Sequence, residues 1–211
     1  GLRDLTARAL AWLEAVGVRA GDRVLLLAEN SPEWQAVAVA AQTLQAEPAA
    51  LFASLAALPA QEIARRVSPR VLFVSTEAQW QKLAPIAEEL ARGGLRAVLS
   101  TAPLTGAPAG VIARTVAAAL AEVALDREDF EARARAVAET DPFLLLFTSG
   151  TTGRQKGVRL CQRAIVTAIE GGATVTGTDE HDIGLHLLPF GHIAGHDQYS
   201  LALAQGHGLI M

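Results

Sequence analysis

Residues 21–32 have the sequence Gly-Asp-Arg-Val-Leu-Leu-Leu-Ala-Glu-Asn-Ser-Pro. The first two form a turn, and the apolar run that ends at Ala28 is typical of a strand buried on both faces of a parallel sheet. Asn30-Ser31-Pro32 then indicates a helix start, because proline is favoured in the first helical turn. This stretch therefore predicts a βα unit, the building block of an α/β fold.

The same alternation continues on both sides of this unit. Before it, apolar residues recur at helical spacing over residues 2–16. After it come predicted helices at about 33–45, 59–67 and 77–91 and predicted strands at 48–52, 70–74 and 95–99. This rhythm predicts an α/β fold with a mostly parallel sheet that carries helices on both faces.

The second part of the chain follows the pattern less regularly. Residues 101–110 predict a loop, and residues 111–138 predict a helix whose charge run forms a solvated face. Further predicted elements are strands at 144–147, 158–160 and 183–188 and helices at 162–171 and 196–204. We expect a first α/β portion at about 1–140 and the start of a second at about 141–211. Because residues 208–211 resemble a strand, we expect 1–211 to be an incomplete domain.

The composition favours some classes of protein over others. The chain has 211 residues, 51% of them hydrophobic, and a net charge of -4, so we expect no nucleic-acid partner. Its single cysteine cannot form an internal disulfide, and no signal-peptide pattern is visible, which together favour a cytoplasmic location. The longest uncharged stretch, residues 97–113, contains prolines and glycines and does not fit a transmembrane helix. Peripheral membrane contact and the oligomeric state stay open.

A loop rich in glycine and threonine follows the predicted strand at 144–147. It contains four hydroxyl residues, three glycines and one lysine: Thr148, Ser149, Thr151, Thr152, Gly150, Gly153, Gly157 and Lys156. Glycines let backbone N–H groups approach an anion, hydroxyls donate hydrogen bonds and lysine supplies a positive charge, so this composition indicates a phosphate-binding loop. The alternative is an ordinary hairpin turn. The P-loop of nucleoside triphosphatases is excluded, because Gln155 and Gly157 replace its second glycine and its final hydroxyl.

Three motifs give a resemblance to a known family. Residues 148–158, Thr-Ser-Gly-Thr-Thr-Gly-Arg-Gln-Lys-Gly-Val, resemble T-S-G-T-T-G-x-P-K-G-V, the signature of the adenylate-forming superfamily, with Gln155 in place of proline. Asn30-Ser-Pro-Glu-Trp34 and Leu188-Pro-Phe-Gly-His-Ile193 are similar to two motifs of the acyl-CoA synthetases, N-S-x-E/D-W and L-P-x-x-H-[IV]. Within the superfamily, the chain most resembles the N-terminal portion of a long-chain fatty acyl-CoA synthetase.

The resemblance implies a two-step reaction. ATP and a carboxylate such as a fatty acid form an acyl adenylate and pyrophosphate, and the thiol of CoA then displaces AMP. Mg²⁺ is expected to arrive with ATP. The resemblance also assigns the residues that hold the β- and γ-phosphates: Thr148, Ser149, Gly150, Thr151, Thr152, Gly153 and Lys156. It implies two catalytic residues, Lys156 at the leaving pyrophosphate and His192 beside the acyl pocket. The adenine, ribose and C-terminal lysine motifs of the family do not occur in this sequence, so we expect the chain to lack the family's C-terminal domain and to be inactive alone.

Other hypotheses stay open from the residues alone. Adenylation domains for amino or aryl acids share the loop, and a non-catalytic nucleotide- or acyl-binding relative is a second alternative. Gln45, Gln155 and Gln162, which depart from the family pattern, slightly favour the latter. His192 and His196 have the spacing of two metal ligands on one helix face, but no full metal-binding motif accompanies them, and we expect no metal site. Cys161 is expected to be a structural thiol rather than a nucleophile.

Overall fold

The computed structural model describes residues 1–148 and 155–210. Strands and helices alternate through the first hundred residues, as the sequence predicts. In chain order the elements are α1 (Leu2–Ala15), β1 (Arg23–Leu27), α2 (Pro32–Thr43), β2 (Glu47–Leu51), α3 (Ala57–Val67), β3 (Val71–Val74), α4 (Glu77–Leu83), a 3-10 helix (Ala84–Ile86), α5 (Ala87–Arg92), β4 (Ala97–Ser100), β5 (Ile112–Thr115), α6 (Val116–Ala121), α7 (Arg127–Ala136), β6 (Pro142–Thr148), β7 (Lys156–Cys161), α8 (Gln162–Thr176), β8 (Ile183–Leu185), α9 (Ile193–Gln205) and β9 (Gly208–Ile210).

Seven of these strands form one sheet, in the order β5-β4-β3-β1-β2-β6-β7. Strands β1 to β6 pair in parallel; Leu25 of β1, for example, lies between Ala49 of β2 and Leu72 of β3. Strand β7 is antiparallel to β6 and forms one edge. Helices cover both faces of the sheet. The predicted α/β class with a mostly parallel sheet is confirmed.

Strand β1 lies at the centre of the sheet and is buried on both faces. Val24 and Leu26 belong to the core formed with α1 and α2, whereas Leu25 and Leu27 belong to the core formed with α3, α4 and α5. All four side chains are 0% exposed. Burying each one contributes roughly 1.5–3 kcal/mol. The apolar run is uninterrupted because a strand covered on both faces has no solvent side.

The connections that follow β1 and β2 leave the sheet on opposite faces. Helix α2 packs in the core that contains α1, whereas α3 packs in the other core. Ser31 caps α2, since its Oγ accepts a hydrogen bond from the main-chain nitrogen of Trp34 at 3.1 Å. This divergence opens a crevice at the carboxyl ends of two neighbouring parallel strands, where open α/β sheets commonly bind ligands.

Two predicted helices are not continuous. The prediction for 111–138 is wrong in its first part, because Ile112–Thr115 pairs with β4 as an edge strand. Thr115 and Asp126 then cap two separate short helices, α6 and α7. The prediction for 77–91 misses a 3-10 turn at Ala84–Ile86, where Pro85 has no N–H for the helical ladder.

The second part of the chain begins with the strands predicted at 144–147 and 158–160, which pair with each other as an antiparallel hairpin. Thr148 of β6 lies opposite Lys156 of β7. Strands β8 and β9 form a separate two-stranded parallel sheet; β8 is shorter than predicted, whereas α8 and α9 are longer. Because β6 pairs with β2, the large sheet continues across the expected division near residue 140, and that division stays a prediction. No helix among residues 1–148 and 155–210 is long and apolar enough to cross a membrane.

Candidate functional site

The predicted phosphate-binding loop joins β6 to β7. Thr148 is the last residue of β6 and Lys156 is the first of β7; they lie opposite each other and both are exposed. The loop residues Ser149, Gly150, Thr151, Thr152 and Gly153 lie outside the described residues. The structure therefore brings one predicted hydroxyl residue and the predicted lysine together at the base of the loop, where both can donate hydrogen bonds to an anion.

Two arginines connect this hairpin to its neighbours, strand β2 and helix α3. Arg159 of β7 donates to both oxygens of the Glu47 carboxylate, at 2.6 and 2.8 Å. This hydrogen-bonded pair raises the pKa of Arg159 above its ordinary value. Arg66, near the end of α3, donates to the main-chain oxygen of Gln155 at 2.7 Å. The residue that replaces the expected proline is thus held through its backbone from a neighbouring helix.

A cavity of about 290 Å³ occupies the crevice at the carboxyl ends of β1 and β2. Three segments line it: residues 28–30 after β1, residues 52–54 after β2, and the segment that contains Leu187, Pro189 and Gly191. Its wall is largely apolar, with a few polar side chains, Glu29, Asn30 and Ser54. This mixture is typical of sites that bind small organic molecules.

Glu29 supplies the negative charge of this cavity. Its Oε1 accepts a hydrogen bond from Nε2 of Gln79 at 2.8 Å, and its Oε2 accepts one from the hydroxyl of Ser75. Burial alone raises the pKa of Glu29, but these hydrogen bonds outweigh it, and the pKa lies below its ordinary value. Glu29 is therefore ionised at neutral pH, and this wall favours a hydrogen-bond donor over an anion.

His192 lies beside the cavity, at the N-cap of α9. Its Nδ1 accepts a hydrogen bond from the main-chain nitrogen of Ala194 at 3.2 Å, so the neutral ring carries its proton on Nε2. The side chain is exposed, and its ring centroid is 6.1 Å from that of Phe52, which lines the cavity. His192 can therefore offer its Nε2–H group to an oxygen of a bound ligand.

His196 has entirely different surroundings. It is 2% exposed, and its ring packs against Trp34, Phe143 and Phe190 at centroid distances of 5.2, 5.7 and 5.8 Å. Burial lowers its pKa to about 4. In the part of the chain that the structure describes, no group of three or more His, Cys, Asp or Glu residues could hold a metal ion. The two histidines lie in separate environments, one at the surface and one in the core.

Two residues near the site have roles that the sequence analysis did not predict. Asn30 is interpreted from the sequence as part of a helix start, but Ser31 alone caps α2, and the side chain of Asn30 reaches the segment before His192. Its place in the quoted Asn30–Trp34 motif is the signal that could have found it. Arg66 lies in no motif, so its contact with Gln155 has no comparable signal.

Comparisons with known proteins agree with this geometry. A long-chain-fatty-acid--CoA ligase, FadD15, of Mycobacterium bovis is 28% identical over 192 residues, covering 90% of this chain and 30% of that protein. A 3-[(3aS,4S,7aS)-7a-methyl-1,5-dioxo-octahydro-1H-inden-4-yl]propanoyl:CoA ligase of Mycobacterium tuberculosis is 34% identical over 207 residues, covering 97% of this chain and 39% of that protein. The solved structure of a Mycobacterium tuberculosis fatty acyl CoA synthetase has a similar fold, with a TM-score of 0.75 at 24% identity over 99% of this chain and 38% of that one.

The chain spans 30% and 39% of the lengths of these two ligases. The model of one protein family, described as AMP-binding enzyme, matches residues 2–211. That match includes the hairpin with Thr148 and Lys156, the crevice after β1 and β2, and the segment with His192. The chain therefore belongs to the AMP-binding enzyme family, as its phosphate-loop motif predicts.

Proposed function

We propose that this chain is the N-terminal part of an ATP-dependent acyl-CoA ligase that activates a carboxylate, foremost a fatty acid, as its acyl adenylate. One observation carries this proposal. Strand β2 pairs with both β1 and β6, so the base of the phosphate-binding loop and the crevice beside His192 lie at the same edge of the sheet. A nucleotide held at the loop and an acid whose apolar part occupies the crevice are then neighbours.

The first step joins the carboxylate to ATP. A carboxylate oxygen attacks the α-phosphorus, the bond to the bridging oxygen breaks, and pyrophosphate leaves. The ammonium of Lys156 and the hydroxyls of Thr148, Ser149, Thr151 and Thr152 donate hydrogen bonds to this pyrophosphate, which stabilises its growing negative charge. Gly150 and Gly153 let the backbone approach it. Mg²⁺ accompanies ATP, and no described residue is assigned to it as a ligand.

His192 and Glu29 orient the carboxylate in this proposal. The Nε2–H group of His192 donates to the carboxylate, which stays outside the cavity because the ionised Glu29 repels it. The apolar part of the acid then enters the cavity along Phe52, Leu187 and Pro189. In the second step the sulfur of CoA attacks the acyl carbon, and AMP leaves.

Pyrophosphate exchange tests the proposal in the parent enzyme, by which we mean the full-length protein that carries this chain. With ATP, Mg²⁺ and a fatty acid, labelled pyrophosphate should enter ATP, and Lys156→Ala should lower the rate about 100-fold or more. Arg163→Ala is the matched control, because it removes an exposed cation that pairs only loosely with Glu139, at 3.7 Å. An unchanged rate in Lys156→Ala contradicts the assigned role. No exchange with any carboxylate favours the non-catalytic binding module.

A panel of acids separates the ligase alternatives. It should contain long-chain fatty acids, a ring-bearing propanoate, amino acids and aryl acids, each assayed for AMP release with CoA. The propanoate is included because the 34% identical relative is named as a ligase for such an acid. We expect fatty acids to give the highest kcat/KM. A preference for amino or aryl acids overturns the fatty-acid assignment and leaves the adenylation step intact.

A further inference from the structure

We propose that Asn30 and Trp34 are positioning residues, which hold the segment before His192 so that its imidazole faces the ligand crevice. The carboxamide of Asn30 contacts this segment twice. Nδ2 donates to the main-chain oxygen of Leu188, and Oδ1 accepts from the main-chain nitrogen of Phe190, both at 2.8 Å. A carboxamide that bonds both a C=O and an N–H of one segment fixes its distance and its orientation together.

Trp34 contacts the same segment from the side of the core. Its ring is fully buried, and its centroid lies 5.1 Å from that of Phe190 with an interplanar angle of 39°. Phe190 is itself 1% exposed, so the segment is anchored in the core by one aromatic side chain. Two residues of the Asn30–Trp34 motif therefore contact the Leu188–Ile193 motif, although about 160 residues separate the two motifs along the chain.

Two close backbone contacts complete the arrangement. Gly191 packs so closely on the end of β2 that a Cβ atom added to it would lie only 2.9 Å from the main chain of Leu51 and Phe52. The main-chain nitrogen of His192 donates to the oxygen of Pro189 at 3.0 Å. The backbone position of His192 is thus set by Asn30 on one side and by β2 on the other.

Among the described residues, the ring of His192 accepts one hydrogen bond, from the main-chain nitrogen of Ala194, and its centroid lies 6.1 Å from that of Phe52. The carboxyl of Asp197 is also close enough for its pKa, which burial raises, to be lowered in part by His192. A displacement of the His192 backbone therefore moves the imidazole directly, and a misplaced imidazole binds the carboxylate less well. This inference rests on the role proposed above for His192, and the experiment separates the two.

The test compares Asn30→Ala, His192→Ala and the double variant in the parent enzyme. We expect Asn30→Ala to raise the KM for the carboxylate about fivefold while the KM for ATP stays within twofold. In the His192→Ala background, the Asn30 change should add less than twofold, because its target is already gone. Gln61→Ala is the matched control, because it also removes a hydrogen bond of 2.8 Å from a side-chain amide to a main-chain oxygen, that of Lys82. It should leave both KM values unchanged.

Each failure has its own signature. If His192→Ala lowers activity and the Asn30 effect multiplies fully in the double variant, the positioning role is wrong and the role of His192 stands. If His192→Ala changes nothing, both are wrong. Hydrogen exchange without substrate gives an independent measurement, since Asn30→Ala should speed exchange at the amides of Phe190 and His192 at least tenfold. Unchanged exchange there overturns the inference even if the parent enzyme shows no pyrophosphate exchange.

Discussion

Replacing Arg159 by methionine should leave the carboxylate of Glu47 buried without its partner. Glu47 opens β2, its side chain is 3% exposed, and Arg159 contacts it through two hydrogen bonds of 2.6 and 2.8 Å. Breaking a fully buried ion pair costs about 3–5 kcal/mol. Because Arg159 is 71% exposed, water already screens part of the attraction, and we expect a loss of about 2 kcal/mol in the free energy of unfolding.

Urea unfolding, followed by far-UV circular dichroism, measures this loss. The double variant Arg159→Met with Glu47→Gln should recover at least about 1 kcal/mol of the free energy of unfolding, since a buried glutamine carries no charge that needs a partner. Arg163→Met is the control, because its partner Glu139 is 68% exposed and their 3.7 Å contact should contribute below about 0.5 kcal/mol. If Arg159→Met is no more destabilising than this control, or if the double variant recovers nothing, the reasoning is refuted.

Three other variants test separate parts of the structure. Arg66→Ala should raise the KM for ATP about threefold in the parent enzyme, because it removes the hydrogen bond to the main chain of Gln155. The neighbouring Arg65→Ala, which removes a contact with Glu89 instead, should leave this KM unchanged. The same KM for ATP in both variants contradicts the prediction. Ser31→Ala should destabilise the chain by about 1 kcal/mol through loss of the α2 cap, and an unchanged urea midpoint contradicts it. The pKa of His196 falls from 6.5 to about 4 on folding, so the unfolded chain takes up the proton first. Stability should be complete above pH 6.5 and fall by at most about 1.4 kcal/mol per pH unit as the pH drops toward 4. His196→Phe should flatten this dependence in urea midpoints measured at pH 7 and 5, and an identical slope contradicts the assignment.

The central strands could be predicted because strands that are buried on both faces have uninterrupted apolar sequences. Strand β1 is apolar from Val24 to Leu27, and these alternating side chains fill two different cores. Strand β5 could not be predicted in this way. Its side chains alternate between exposed and half-buried positions, and its pairing with β4 is a tertiary contact that no local pattern contains. Backbone pairing at the sheet edge therefore overrides the helical pattern of these residues.

The site was predictable only where a motif carries its own chemistry. The glycines, hydroxyls and lysine of the loop indicate phosphate binding by residue type alone, and the structure places Thr148 and Lys156 at the base of that loop. The roles assigned to Thr148, to Ser149–Gly153, to Lys156 and to His192 all stay predictions. The Asn30–Trp34 motif marks Asn30 but does not identify its partners, because Leu188 and Phe190 reach it only through the order of strands in the sheet.

Strand order also explains why three distant motifs lie close together at one edge of the sheet. The first follows β1, the second follows β6, and the third precedes α9. Since β2 lies between β1 and β6, the first two motifs are one strand apart at the carboxyl edge, and Gly191 of the third rests on the end of β2 itself. Residues that touch a ligand can be exposed there, because the buried strands beneath them hold their backbone. Asn30 lines the cavity directly after strand β1, and its side chain also holds the segment that carries His192.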